Sequence, residues 1–352
     1  MSTSEIPVKN VERLIQPVIW VNLCRVIAIY GVVLIHSCGA FFYQYGTIPL
    51  RDWLSANFLD SIVRCAVPLF VMLSGALLLK PSAQLVAFPK LAQRIAKVLF
   101  PLLAWSIIYL LITSHHSGGL PVDWLSILKQ PAMYHLWFVY MIIGLYIFLP
   151  VFQVLFEEIR DKPTLQIYII GIWFVVTSLP IYWPLPILTL LQQNSFFGYG
   201  GYFLIGAVIA SSPKDRIPTA IWILIFVISV LVTFGLTWLF SEQAVAPIER
   251  AYIYFSPNVI VSAVAAFIII KRARVSERVA KSIQWISDRS FLIYFVHILA
   301  LEQVRYSTFT SAISQHTSVF VTILIISIIT FAISLMVAAV IRLIPGSQRV
   351  FG

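Results

Sequence analysis

The sequence predicts an all-α, polytopic membrane helix bundle of about ten transmembrane helices, on three observations. Hydrophobic residues make up 60% of the 352 residues and charged residues only 11%, against about 25% charged in ordinary soluble domains. Mean hydropathy is correspondingly high, at +0.93. The apolar residues gather into ten runs near the length that crosses about 30 Å of hydrocarbon. These lie at 18–42, 58–79, 98–114, 135–156, 165–182, 196–211, 218–240, 252–270, 289–305 and 317–344. Lys and Arg are also distributed one-sidedly. With a cytoplasmic N-terminus, eighteen of the 24 fall in cytoplasmic segments and four (Arg51, Lys129, Arg250 and Arg305) on the outer side, while Arg25 and Arg64 lie inside spans. That bias places both termini in the cytoplasm and agrees with an even number of spans. It also accounts for the +10 net charge without a nucleic-acid partner.

The runs differ in how clearly they read. The first, IWVNLCRVIAIYGVVLIHSCGAFF, is interrupted by Arg25 and followed by many more, so it is a span rather than a cleaved signal peptide. In the second, VPLFVMLSG carries Pro68, which kinks a helix, and Ser74 and Gly75, which permit close helix approach. The third begins at RIAKVLFP, with Arg94 and Lys97 on one helix face at the cytoplasmic surface. The fifth, sixth and ninth runs are short. Between spans, the outer loop 115–134 with His115 and His116 reads as solvated. The cytoplasmic stretch KRARVSERVAKSIQWISDR, 271–289, reads as a basic amphipathic surface helix facing anionic headgroups. No extramembrane stretch exceeds about 20 residues, too few for a separate core. The chain is therefore one domain, 1–352, with an N-terminal segment 1–17 and a tail 345–352. Cys24, Cys38 and Cys65 all fall in spans, show no disulfide or zinc spacing, and read as small packed hydrophobes.

Ionisable side chains inside spans are costly and mark functional sites. Arg25 and His36 are eleven positions apart. On a helix that is about 1100°, within about 20° of a whole number of turns, and about 16 Å of rise. A fixed cation and an ionisable base therefore share one face, three turns apart, as a long anionic substrate requires. Asp60 and Arg64 at i, i+4 can pair. His135 begins its span and Glu302 and Arg305 end theirs on the outer side, and an outer cluster of His36, Arg64, His135 and Glu302 is expected if those helices touch. His297, near the middle of the ninth span, reads as a structural histidine.

Arg25, ten intervening residues and His36 resemble the signature of the acyltransferase-3 family of bacterial membrane acyltransferases. VPLFVMLSGALLL at 67–79, RIAKVLFPLLAW at 94–105, YHLWFVYMIIGLYIFLP at 134–150, GYFLIGAVI at 201–209 and SFLIYFVHILAL at 290–301 are similar to later segments of that family, in the same order. The resemblance is greatest to short members that O-acetylate cell-surface glycans such as the enterobacterial common antigen. It implies a multi-pass protein of the bacterial inner membrane, with acyl-CoA, expected to be acetyl-CoA, as co-substrate from the cytoplasm. A surface glycan or lipid-linked saccharide is the implied acceptor, and no metal is implied. On this reading Arg25, Arg94 and Lys97 hold the donor's phosphates. His36 takes the proton from the attacking hydroxyl, its ordinary pKa lying near the operating pH. Arg64, His135 and Glu302 are the candidates for an acceptor or oxyanion site.

One position departs from the family pattern. Asn22 stands where many members carry an acidic residue three before the arginine, so an amide rather than a carboxylate is available to position Arg25. No GxSxG string is present, which argues against a serine acyl-enzyme and leaves direct transfer or a transient acyl-His36. The competing class is a transporter or flippase using the same intramembrane Arg and His, although no paired repeat is visible. A membrane subunit presenting a glycan to a partner enzyme is a third class. A homo-oligomer is compatible with all three.

Overall fold

A computed structural model describes residues 8–80, 84–116, 118–119, 123–184, 195–212 and 217–352, with side chains described for all of these except 8–18 and 195–197. Lys214, Arg216 and the side chains of Lys9 and Arg13, counted above on the cytoplasmic side, lie outside them. Among the described residues the protein is all helix, with no strand.

The helices are α1 (Val8–Phe42), α2 (Leu50–Val63), α3 (Ala66–Leu78), α4 (Phe88–His116), α5 (Trp137–Ile147), α6 (Leu149–Ile159), α7 (Pro163–Tyr182), α8 (Ser195–Ser211), α9 (Thr219–Ala244), α10 (Pro257–Arg272), α11 (Glu277–Ser287), α12 (Ser290–Arg305), α13 (Thr308–His316), α14 (Val319–Ile341) and α15 (Ser347–Val350). Each of the ten apolar runs meets a helix or helix pair. Seven are long and apolar enough to cross a bilayer singly, with α2 and α3 together forming one of them. The fourth run is the bent pair α5–α6. The sixth and ninth runs are the shorter α8 and α12, of 17 and 16 residues.

Proline places the breaks. Pro68 has no N–H for the carbonyl of Arg64, and its ring clashes with that carbonyl. The α2–α3 span accordingly breaks at Arg64 and Cys65 and resumes with the Leu69 N–H bonded to the Cys65 carbonyl at 2.9 Å. Pro150, near the start of α6, does the same to the fourth span, which bends by 63° at Phe148. The basic stretch after α10 forms α11, apolar on one face, with Ile283 buried and Lys281 exposed.

Helices in lipid gain little from hydrophobic burial against one another, so small residues that allow close packing decide which ones touch. The closest such contact joins α3 to α8. A Cβ on Gly75 would lie 1.8 Å from the Phe203 carbonyl oxygen, and one on Gly206 would lie 1.9 Å from that of Met72. The two glycines are reciprocal, each receiving the backbone of the other helix. Around this pair sits the main core, which includes Met72, Phe203, Phe267, Phe295 and Tyr109. Helix α1 runs through the bundle's interior and packs on α2, α3, α10, α11, α12 and α14. Its Cys24 and Cys38 are buried free thiols, as is Cys65.

Two predictions come from the packing and the charge bias. Gly206→Ala drives a methyl into fixed backbone and should destabilise the protein by about 1–3 kcal/mol or more, read as a lowered unfolding midpoint in detergent. For orientation, Lys129→Cys should react with an impermeant thiol reagent in intact cells, and Lys281→Cys only after permeabilisation. The opposite pattern would invert the assignment of sides.

Candidate active site

Let the end of the bundle where α1 begins be the lower end. Successive spans reverse direction, so Arg25, Ser74, Lys97, Tyr146 and Ser290 all lie in the lower halves of their helices. They line a single lower cavity of about 290 Å³, together with Phe70, Val98, Phe138, Val139, Ile142, Phe291 and Tyr294. The structure thus brings Arg25 and Lys97 together. Arg94 does not line the cavity, but its charge acts, with that of Arg25, on Tyr146 in the wall. Asn22 is not Arg25's partner. Its side-chain oxygen accepts a hydrogen bond from the Ser287 hydroxyl at 3.0 Å, so the amide ties α1 to α11 and leaves Arg25 facing the cavity.

Above it, a second and much smaller cavity of about 40 Å³ is lined by His36, His135, Val32, Ile35, Val67, Trp137, Tyr254 and again by Phe70, Phe138 and Tyr294. The two cavities are stacked along one face of α1, with those three rings as their common wall. His36 is half-buried and belongs to a cluster of imidazoles. Its ring centre is 5.2 Å from that of His297 and 5.3 Å from the Tyr134 ring, while His135 lies 5.1 Å from His297. His297 is fully buried. Its Nδ1 lies 2.6 Å from the Tyr294 carbonyl, which can only accept. Nδ1 therefore carries the proton and Nε2 is left as a free acceptor, buried without a partner. Both ring nitrogens of His135, 2% exposed, are likewise buried without a hydrogen-bond partner. Unpaired buried polar atoms are rare in native structures and each calls for an explanation. His135 lines the cavity, where a bound ligand would satisfy its nitrogens, and His297 stands behind it. Among the described residues no group of three His, Cys, Asp or Glu converges on a metal position.

The other expected members of the outer cluster sit around this chamber rather than in its wall. Arg64 is engaged by Asp60 in a two-pronged pair, Nη2 to Oδ2 and Nε to Oδ1, both at 2.8 Å. Its guanidinium stacks 4.0 Å above the Tyr252 ring and reaches Glu249 at 4.0 Å, and Glu249 in turn accepts from the Tyr43 hydroxyl at 2.6 Å. Arg305 donates to the His36 carbonyl at 3.0 Å. The charges of Arg64 and Arg305 both act on His36. Glu302 acts electrostatically on Tyr109 and Tyr134 beside the histidines.

Sequence reading missed the three-ring wall, because Phe70 and Phe138 look like any apolar residue of a span. It also missed the involvement of His297 with His36. The one available signal for the latter was its position in the ninth span, at the depth of His36 in the first.

The chain matches the acyltransferase-3 family model, described as an acyltransferase domain, over residues 18–339. No curated protein and no solved structure matches it.

The Asp60–Arg64 pair yields a stability prediction. Both side chains are shielded, so removing one partner strands the other charge, at about 3–5 kcal/mol. Asp60→Leu alone should lower the unfolding midpoint strongly. The double variant Asp60→Leu with Arg64→Met should recover much of the loss, whereas additive losses would show that the two residues do not act as a pair.

Proposed function

The chain belongs to the acyltransferase-3 family, and we propose that it is an O-acyltransferase of the bacterial inner membrane, moving an acetyl group from cytoplasmic acetyl-CoA to a hydroxyl of a cell-surface glycan or its lipid-linked precursor. One observation carries this reading. Two cavities stack along one face of α1, a larger one holding Arg25 and Lys97 and a smaller one holding His36 and His135. With the charge bias setting the lower end as cytoplasmic, the larger cavity meets a long anionic donor and the smaller one is where the donor's acyl group meets the acceptor hydroxyl.

Each residue then has a chemical task. Arg25 and Lys97, with Arg94 at the rim, hold the CoA phosphates by charge-assisted hydrogen bonds. The pantetheine arm runs up the larger cavity and delivers the thioester to the ring wall. The acceptor hydroxyl attacks the carbonyl carbon while His36 takes its proton. The C–S bond then breaks and the thiolate receives that proton as CoA leaves. General-base catalysis of this kind is worth about 10²–10⁴ in rate. The developing oxyanion accepts a hydrogen bond from a ring N–H of His135, which has no other partner. The positive field of Arg64 and Arg305 favours the same charge, and preorganised donors and charges in a dry site are the largest catalytic term in many enzymes. Glu302, beside Tyr109 and Tyr134, borders the side from which the acceptor arrives.

Two measurements test the division of labour. His36→Ala should reduce acetyl transfer by about 10²–10⁴ and leave CoA affinity, measured by calorimetry, nearly unchanged. Normal glycan acetylation in cells carrying His36→Ala would sink the general-base role. Arg25→Ala should weaken CoA binding but have little effect on an acyl-pantetheine lacking the nucleotide phosphates. Arg25→Lys should rescue only in part, since an ammonium keeps the charge and loses the planar fork. Equal loss for both ligands would assign Arg25 to holding the bundle instead.

A further inference from the structure

The wall between the two cavities is made of three side chains that line both, Phe70, Phe138 and Tyr294. Their rings form a continuous row, Phe70 to Phe138 at 5.9 Å between centres and Phe138 to Tyr294 at 5.6 Å. Tyr294 is fixed, its hydroxyl donating to the His135 carbonyl and its own carbonyl accepting from His297. Phe70 and Phe138 are held by packing alone and are only partly buried. A donor in the lower cavity meets His36 across this row.

The space beyond the row is small. It measures about 40 Å³, against about 290 Å³ below. A water molecule needs roughly 10–15 Å³ of such space, so the chamber holds on the order of three heavy atoms, the number in an acetyl group. Its wall is otherwise Val32, Ile35, Val67, Trp137 and Tyr254 with the two histidines, and among the described residues it carries no Lys or Arg. A carboxylate on the acyl chain would find no cation in the wall.

We infer that the Phe70–Phe138–Tyr294 row is the acyl selector of this site, and that the chamber above it is an acyl-binding subsite for a short, uncharged acyl group. The inference rests on the acyl-CoA reading above and deepens it. The acyl group alone crosses the row. The sulfur stays below, so that after the C–S bond breaks the thiol already lies in the cavity from which CoA departs. Phe70 and Phe138 set how long a chain passes, because they are the two members without a hydrogen-bonded anchor.

The test is thiol release by the purified full chain from acetyl-, butyryl-, hexanoyl- and succinyl-CoA, with water as acceptor and CoA affinity measured alongside. One methylene too many in an apolar pocket is worth about 10–200-fold. The wild-type protein should therefore favour acetyl over butyryl and succinyl by at least about tenfold. Phe138→Ala should narrow the acetyl-to-butyryl ratio by about tenfold, read at saturating donor so that any change in CoA affinity is separated from it. Phe138→Leu and Phe70→Leu, gentler changes that keep the packing, should shift the ratio in the same direction if Phe138→Ala does not fold. A wild-type protein indifferent to chain length overturns the inference. So do folded, CoA-binding variants with an unaltered ratio. A wild-type protein that neither binds CoA nor releases thiol overturns the donor reading itself, a separate outcome from a selector that fails while acetyl-CoA is still consumed.

Discussion

Helix α3 is held on both flanks by contacts that leave no room for side chains, and the geometry of the site follows from that clasp. On one flank the reciprocal glycines Gly75 and Gly206 bring its backbone against that of α8. On the other, a Cβ on Gly31 of α1 would lie 2.8 Å from the Cβ of Ala66. In a bilayer, where lipid tails are as apolar as leucine, such close approach is what distinguishes one helix neighbour from another. Pinned this way, α3 presents Val67 and Phe70 toward α5 and α12 at one depth. At that depth Phe138 and Tyr294 close the row between the cavities. Loosening the clasp would shift Phe70 and merge the two cavities.

A closed row matters to the proposed function because its two substrates are chemically opposed. On the proposed function the donor is a reactive thioester with a polar, anionic handle, and the acceptor is a hydroxyl compound in water. A site open at both ends would let water reach the thioester and ions cross the membrane. Three aromatic rings stand between Arg25 and His36, where the two cavities share a wall. The apolar rings around the chamber strengthen the charges and dipoles beside it, including the unpartnered nitrogens of His135.

Intramembrane charges here fall into two groups with different roles. Arg64 is spent on structure: paired twice with Asp60, stacked on Tyr252 and linked through Glu249 to Tyr43. Its contribution at His36 is a field rather than a contact. Arg25 has no carboxylate partner among the described residues and faces a cavity, the arrangement expected of a cation waiting for an anionic ligand. Asn22 explains part of the contrast. An acidic residue there would be a ready ion-pair partner three positions away, while the amide is occupied by Ser287.

The sequence by itself determined the helical class, the ten apolar runs, the break near Pro68 and the shared face of Arg25 and His36. These depend on hydropathy, proline chemistry and the 3.6-residue repeat, all of which act within one segment. The i, i+4 pairing of Asp60 with Arg64 and the amphipathic helix after α10 were legible for the same reason. The tertiary structure alone decided that Lys97 rather than Arg94 shares the cavity with Arg25. It also decided that His135 and His297 surround His36 while Arg64 and Glu302 stand outside the chamber wall, and that Phe70, Phe138 and Tyr294 meet. Phe70, Phe138 and Tyr294 belong to three different helices and carry no local mark that separates them from other aromatics. Their meeting is set by how closely glycine lets α3 approach its neighbours, a distance that no periodicity in the sequence encodes.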